Sequence, residues 1–322
     1  MESLIITDFT RVHIEKAQAL AWENYQEEMR FVPTLPSIER LPDLQAYADN
    51  GLGVAAFEGE RILGFLLSVP PFQNAFGSTS ATGVFSPLGA NGAVKEDRSK
   101  VYARMYQAAG EKWAKAGASS HAVCLYAHDQ QAQEQLFRYG FGLRCVDAIR
   151  AMEEIDEIDV FPCAGYHFHE LAPNEFPKIL PLRHKLDGHM AESPVFMPRK
   201  QEDQESFLKE AKESRAIYFA AKENDQIVAY IGAALDGETF VCDTPGYLHV
   251  NSAYCMPEHR GKGLHQKLLG LLIQKLKGNG YTHLGVDFES INPNAYAFWL
   301  KYFQAYGYSV VRRIDEAAVT IP

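Results

Sequence analysis

The feature that most restricts how this chain can fold is an internal duplication, written in pattern and not in residue identity. Val54–Ser68 (VAAFEGERILGFLLS) and Tyr218–Ala233 (YFAAKENDQIVAYIGA) are each two apolar stretches around a polar turn read as four residues, the mark of a β-hairpin. The segments beginning at Gly110 (GEKWAKAGASSHAVCLYAHDQQAQEQLFRYGFGL) and Ile273 (IQKLKGNGYTHLGVDFESINPNAYAFWLKYFQAYGY) both read helix, glycine stop, apolar strand, helix and a Gly-aromatic entry into a strand. Equivalent landmarks stand about 165 residues apart. Two domains follow, at 1–152 and 166–322, joined by an acidic, Pro- and Gly-containing linker at 153–165. A length of 322 residues agrees, being long for one core.

Each half reads strand, helix, helix, hairpin, strand, helix, strand, helix, strand. That order predicts an α/β (α+β) fold with a mixed, mostly antiparallel central sheet flanked by helices. The formal charge of −10 argues against nucleic acid or an anionic membrane surface as partner, since both are bound through clustered Lys and Arg. MESLIITDFT lacks a basic stretch followed by an apolar one, and no apolar run approaches a membrane span, so a cytoplasmic location is expected. Cys124, Cys145, Cys163, Cys242 and Cys255 form no CxxC pair, which speaks against disulfides and a structural metal. His184 and His189 in HKLDGH are five apart and share no helical face, so no metal is expected there either.

The chemistry concentrates in Tyr247–Gly280 (YLHVNSAYCMPEHRGKGLHQKLLGLLIQKLKGNG). A strand runs into Pro257, then a glycine-basic turn, then a helix with an apolar face at Leu264, Leu268, Leu271, Leu272 and Leu276. Amides at a helix start lack internal partners and carry the positive end of the macrodipole, so they suit a phosphate. Gly261 and Gly263 let the backbone approach the anion, and Arg260 and Lys262 supply charge. The spacing is neither a P-loop nor GxGxxG.

This segment resembles the acyl-CoA signature of the GNAT acetyltransferase superfamily, Arg/Gln-x-x-Gly-x-Gly/Ala, with Arg260, Gly263 and His265 at its fixed positions. His265 departs from the small residue expected there. Downstream, Ile291–Tyr308 resembles the family's Asn-x-x-Ala-x-x-aromatic helix through Asn292, Ala295 and Trp299. Two joined GNAT domains are a known arrangement of the superfamily, and here the N-terminal copy is degenerate: Arg98, Val101 and Ala103 stand where a cradle would be, and Leu136 where the aromatic would be.

The resemblance implies acetyl-CoA as co-substrate, held by Cys255, Met256, Arg260, Gly261, Lys262, Gly263, Leu264, His265, Asn292, Asn294 and Trp299, with no metal. It implies direct acetyl transfer to the amine of a small-molecule or peptide acceptor. An N–H near Cys255 or Met256 would face the thioester carbonyl. Period-two alternation puts His249, Asn251, Ala253 and Cys255 on one strand face, and His249 occupies the place of a general-base carboxylate found in some members; a hydrogen-bonded structural histidine is the alternative. Trp299 stands where a general-acid Tyr is common, leaving Tyr296 or Tyr302 as substitute, with Tyr302 preferred and solvent as alternative. Asn292 and Asn294 either bond pantetheine or cap a helix. A non-catalytic acyl-CoA-binding regulatory or assembly protein is the competing reading, and an aminoacyl-tRNA-using transferase of the tandem type is a third. Self-association as a homodimer stays open.

Overall fold

The computed structural model describes residues 4–155 and 163–319; most of the expected linker, 156–162, lies outside the described residues. The elements run β1 (Ile5–Asp8), α1 (Ile14–Phe31), α2 (Gln45–Asp49), β2 (Val54–Glu58), β3 (Arg61–Leu66), β4 (Gly83–Ser86), β5 (Asn91–Ala93), α3 (Arg98–Lys115), β6 (Ser120–Tyr126), α4 (Gln130–Arg138) and β7 (Gly142–Ala151). The order continues with β8 (His167–Glu170), α5 (Leu180–Ala191), α6 (Gln204–Glu213), β9 (Ile217–Glu223), β10 (Gln226–Ala234), β11 (Tyr247–Cys255), α7 (Leu264–Gly278), β12 (His283–Glu289), α8 (Pro293–Tyr302) and β13 (Gln304–Arg313). Both expected hairpins form, but each turn is two residues long and not four. Asn224 and Asp225 take φ of 47° and 65° between β9 and β10, a left-handed conformation these side chains tolerate.

One compact unit comprises Met1–Asp147, Thr239–Val241 and Ala305–Pro322, and the other Ala148–Glu238 and Cys242–Gln304. This division differs from the boundaries read in the sequence, because the last strand of the chain is counted with the first unit. β13 runs antiparallel to β6, from Gly307↔Tyr126 to Arg313↔Ser120, and the Thr239 hydroxyl bonds the Tyr306 hydroxyl at 2.7 Å. Periodicity identifies a strand; it does not name the strand's partner.

In the first unit β1, β2, β3 and β5 form an antiparallel sheet, while β4 lies parallel to β6. The α3 helix buries Val101, Tyr102, Met105 and Trp113 against that framework. Gly64 allows the close approach: a Cβ there would stand 2.7 Å from a Val101 methyl. The start of α3 is filled by its own chain. The Arg98 guanidinium, 7% exposed, pairs with Glu27 at 2.7 Å and Asp129 at 3.4 Å, and its Nε donates to the Val94 carbonyl.

In the second unit the strand order is β12, β11, β10, β9, β8, antiparallel throughout except for the parallel pair β11–β12. The α7 helix packs on β9 and β10 through Leu264, Leu268, Leu272 and Leu276 as its spacing predicts; Leu269 and Ile273 are also buried, whereas Leu271 is only partly so. The α5 helix packs against β11.

Candidate functional site

The site begins where two parallel strands stop pairing. β11 and β12 are in register from Tyr247↔His283 to Val250↔Val286, and no parallel pairing continues beyond that point. There β11 carries an extra residue: Gly232 pairs with Ser252 and Ala233 with Val250, leaving Asn251 as a bulge. The bulge changes the phase of the strand. Directly opposed residues of an antiparallel pair share a face, so His249 and Ser252 lie on one face of the sheet. Asn251 joins them there, with its Nδ2 3.5 Å from the Tyr218 hydroxyl, while Ala253 and Cys255, opposite Ile231 and Ala229, lie on the other face. The expected common face for His249, Asn251, Ala253 and Cys255 is therefore corrected, since uninterrupted alternation does not survive the bulge.

Past Cys255 a short turn at Pro257–His259 leads to Gly261 and Gly263, with φ of 75° and 80°. That left-handed conformation is why glycine stands at both places. Gly263 caps α7, whose first backbone acceptor is its carbonyl, bonded by the Lys267 N–H at 3.0 Å; the preceding amides have no acceptor within the helix. A Cβ at Gly261 would meet nothing within 4 Å. Arg260 donates through Nε to the Cys255 carbonyl at 3.0 Å, fastening the turn to the strand end, and its guanidinium lies over the Tyr254 ring. Lys262 is exposed and donates to the Tyr166 hydroxyl at 2.9 Å.

This turn, the end of β11 and the inner face of α8 enclose a cleft of about 260 Å³. Of the residues expected at the co-substrate, Cys255, Arg260, Gly261, Gly263, Leu264, His265, Asn292, Asn294 and Trp299 line it; Met256 and Lys262 do not. Leu186, His189, Tyr254, Gln266 and Phe298 line it as well and were not singled out as ligand contacts. Phe298 was legible in one respect, being the residue before the motif's aromatic.

Several side chains resolve into definite roles. Asn292 is the cap of α8, its Oδ1 accepting from the Ala295 N–H at 3.4 Å. Trp299 is 7% exposed and packs edge-on against Phe298 and Phe303. The Cys255 thiol is pushed up to about 11, first by burial, so it stays neutral and offers the site its backbone. Met256 is corrected as an oxyanion donor, because its N–H already donates to the Val228 carbonyl at 2.9 Å. Burial likewise pushes the His265 imidazole down to about 4, outweighing the backbone groups of Tyr254 and Tyr230 beside it.

His249 lies outside the cleft lining and is 1% exposed. Burial, the largest single influence, disfavours its charge. The 2.7 Å hydrogen bond to Asp287, together with the nearby Cys242 and the Asp287 charge, outweighs it and raises the imidazole to about 10. Both ring nitrogens of the expected proton acceptor are engaged, Nε2 by the Asp287 carboxylate and N–H and Nδ1 by the Tyr247 hydroxyl at 3.1 Å. Tyr302 also lies outside the lining; its buried hydroxyl has no partner and its ring packs on Phe298 at 5.2 Å. His184 bonds the Glu202 carbonyl, and among the described residues no three His, Cys, Asp or Glu converge as a metal-ligand set. Among the same residues no helix is long and apolar enough to cross a membrane.

A slot beyond the end of a parallel strand pair, closed at one end by a glycine-opened helix start, is the arrangement that the resemblance to GNAT acetyltransferases implies. Residues 186–303 match the sequence model of the Acetyltransferase (GNAT) family, and the second unit belongs to that family. A GCN5-related N-acetyltransferase from Sphaerobacter thermophilus superposes with a TM-score of 0.57 at 11% identity, over 96% of this chain and 95% of that one, so the likeness of fold extends across both units. A tandem GNAT protein from the clavulanic acid biosynthesis pathway aligns over 97% of this chain and 98% of its own at 14% identity, with a TM-score of 0.43. A GCN5-related N-acetyltransferase from Kribbella flavida aligns over 98% of this chain and 72% of its own at 11% identity and a TM-score of 0.41. No curated protein sequence matches the chain. Family membership implies acyl-CoA-dependent N-acetyl transfer as the class of chemistry.

Proposed function

We propose that the protein transfers an acetyl group from acetyl-CoA directly to the amine of a small-molecule acceptor, with one acetyl-CoA bound per chain by the second unit. The observation that carries this reading is the open start of α7, where two glycines with positive φ present unpaired amides to a cleft lined by Cys255 and Trp299. The pyrophosphate meets those amides, with Arg260 and Lys262 adding charge. The residue types fit the group: open space at Gly261 and a cation on either side of it.

Strand geometry supports a role for the Cys255 backbone. The Met256 N–H points to β10, so alternation turns the Cys255 N–H toward the opposite edge, where no β12 residue pairs with it. That amide is suited to the oxyanion formed as a neutral amine attacks the thioester carbonyl. The intermediate then collapses, the C–S bond breaks, and the amine nitrogen gives up its proton to solvent. His249, outside the lining and bonded to Asp287, does not take that proton. With Trp299 in the lining and Tyr302 outside it, the departing CoA thiolate is protonated from solvent. In the first unit the Arg98 ion pairs fill the corresponding helix start, which supports a single co-substrate per chain.

The test is to incubate the full chain with acetyl-CoA and a panel of small primary amines, following CoA thiol release together with the acetylated product by mass spectrometry. Acetylated amine appearing in step with free CoA supports the reading. Binding of acetyl-CoA without any turnover across the panel would overturn it in favour of a non-catalytic acyl-CoA-binding protein.

A further inference from the structure

We infer that Cys242 is a reactive thiol of the second unit, oxidised to its sulfenic acid by small hydroperoxides with Tyr247, His249 and Asp287 as its proton relay. The four side chains form one hydrogen-bonded line. The Cys242 thiol donates to the Tyr247 hydroxyl at 3.4 Å, that hydroxyl lies 3.1 Å from His249 Nδ1, and Nε2 lies 2.7 Å from the Asp287 carboxylate. Cys242 Sγ also stands 4.0 Å from Nδ1 itself. A nucleophile, a base within reach of it and a carboxylate that orients the base are the parts from which activated nucleophiles are assembled.

Two glycines leave the room in which the line runs. A Cβ at Gly237 would collide with Cys242 Sγ and stand 3.1 Å from Nδ1, and a Cβ at Gly285 would collide with the Tyr247 hydroxyl. Tyr247 and His249 are buried while Cys242 is partly exposed, so a small reagent meets the line at Cys242. None of the four residues lines the cleft at the start of α7, so the thiol stands apart from the acyl-transfer site. The charged groups acting on the line are Asp287 and, through Asp287, Arg199.

A hydroperoxide suits this arrangement because its reduction needs both a thiolate and a proton for the departing oxygen. The thiol proton passes through the Tyr247 hydroxyl to Nδ1, and Asp287 offsets the charge gained by the ring. Sulfur attacks one peroxide oxygen; the S–O bond forms and the O–O bond breaks. The departing hydroxide or alkoxide takes the proton back through the Tyr247 hydroxyl and leaves as water or an alcohol. Sulfur is oxidised by two electrons and the peroxide is reduced by two.

The experiment treats the full chain at neutral pH with hydrogen peroxide in the presence of dimedone, which caps sulfenic acids, and in parallel with iodoacetamide, which reads nucleophilicity without oxidation. Peptide mass spectrometry follows Cys242, with N-acetylcysteine as the reference thiol. An ordinary thiol is only a few per cent thiolate at this pH, so Cys242 is expected to react about 5- to 30-fold faster than the reference in both arms. His249→Gln and Tyr247→Phe, shown to be folded by thermal melts, are expected to react within about twofold of the reference or more slowly. Asp287→Asn, altered at the end of the line away from the sulfur, is expected to lose part of the gain without changing access to Cys242. Wild-type Cys242 reacting no faster than the reference, or folded variants all matching wild type, would overturn the inference. A fast iodoacetamide reaction with no dimedone adduct would overturn the assignment of hydroperoxides.

Discussion

His249 Nε2 lies 2.7 Å from the Asp287 carboxylate and 3.0 Å from the Asp287 backbone N–H, tying β11 to β12 one residue beyond their last parallel pair, Val250↔Val286. The imidazole is almost fully buried while the carboxylate side chain is 47% exposed, so the pair joins the interior to the surface at the point where the strands stop pairing. Asp287 is crowded by neighbouring atoms despite that exposure, and His249 with Arg199 holds its carboxyl below the usual range against the cost of burial.

The pair gives stability a pH dependence of definite sign. His249 has a folded value near 10 against an ordinary 6.5, so its contribution is fully present below about pH 6.5 and is lost as pH rises toward 10. Asp287, shifted down from 3.8, acts at the other end: its contribution is present above that value and is lost as pH falls through the folded value. Urea denaturation of wild type is expected to show stability declining from pH 7 to pH 10, and His249→Gln is expected to flatten that decline. Parallel curves for the two proteins would contradict the pairing.

Removing Asp287 should reveal the same pair from the other side. Asp287→Asn leaves a buried imidazolium without its counter-ion, a change expected to cost about 1–3 kcal/mol, at or below the usual range for a buried pair because the carboxylate is half-exposed. A melt indistinguishable from wild type at neutral pH would refute it.

In the first unit, Arg98→Ala strips a buried cation from Glu27 and Asp129 and is expected to cost about 3 kcal/mol. The stoichiometry of acetyl-CoA binding should stay at one per chain. A second binding event uncovered by this substitution would mean that the first unit's helix start is a working site held shut.

Tyr302 tests the source of the thiolate's proton. Its hydroxyl is buried and unpaired, so Tyr302→Phe removes an unsatisfied group and is expected to leave stability unchanged or raise it by up to about 1 kcal/mol. Acetyl transfer should remain within about twofold of wild type, whereas loss of a general acid would cost about a hundredfold or more. A loss of that larger size would restore Tyr302 to the mechanism.

The duplicated pattern, the hairpins and the glycine-opened helix start were all legible in the sequence, because each rests on local chemistry: alternation, turn residues, and glycine where φ is positive. Asn292 could be read as either cap or ligand contact; it caps α8 through the Ala295 N–H and also lines the cleft. What escaped the sequence depends on partners distant along the chain. One extra residue at Asn251 reversed the face assignment for Cys255, and no composition or period announces a bulge. The Asp287 carboxylate lies 38 residues from His249 and engages an expected base. The choice of β6 as partner for β13 is likewise a matter of tertiary pairing.

The most direct test of the central claim is calorimetric titration of acetyl-CoA into wild type, Gly263→Glu and Gly263→Ala. Alanine at a φ of 80° reports backbone strain alone, expected at about 1–2 kcal/mol of stability, while glutamate adds a carboxylate at the helix start. The account predicts one acetyl-CoA per wild-type chain, weakened binding in Gly263→Ala, and none detectable in a folded Gly263→Glu. Wild-type affinity retained in Gly263→Glu would mean that the start of α7 does not hold the co-substrate.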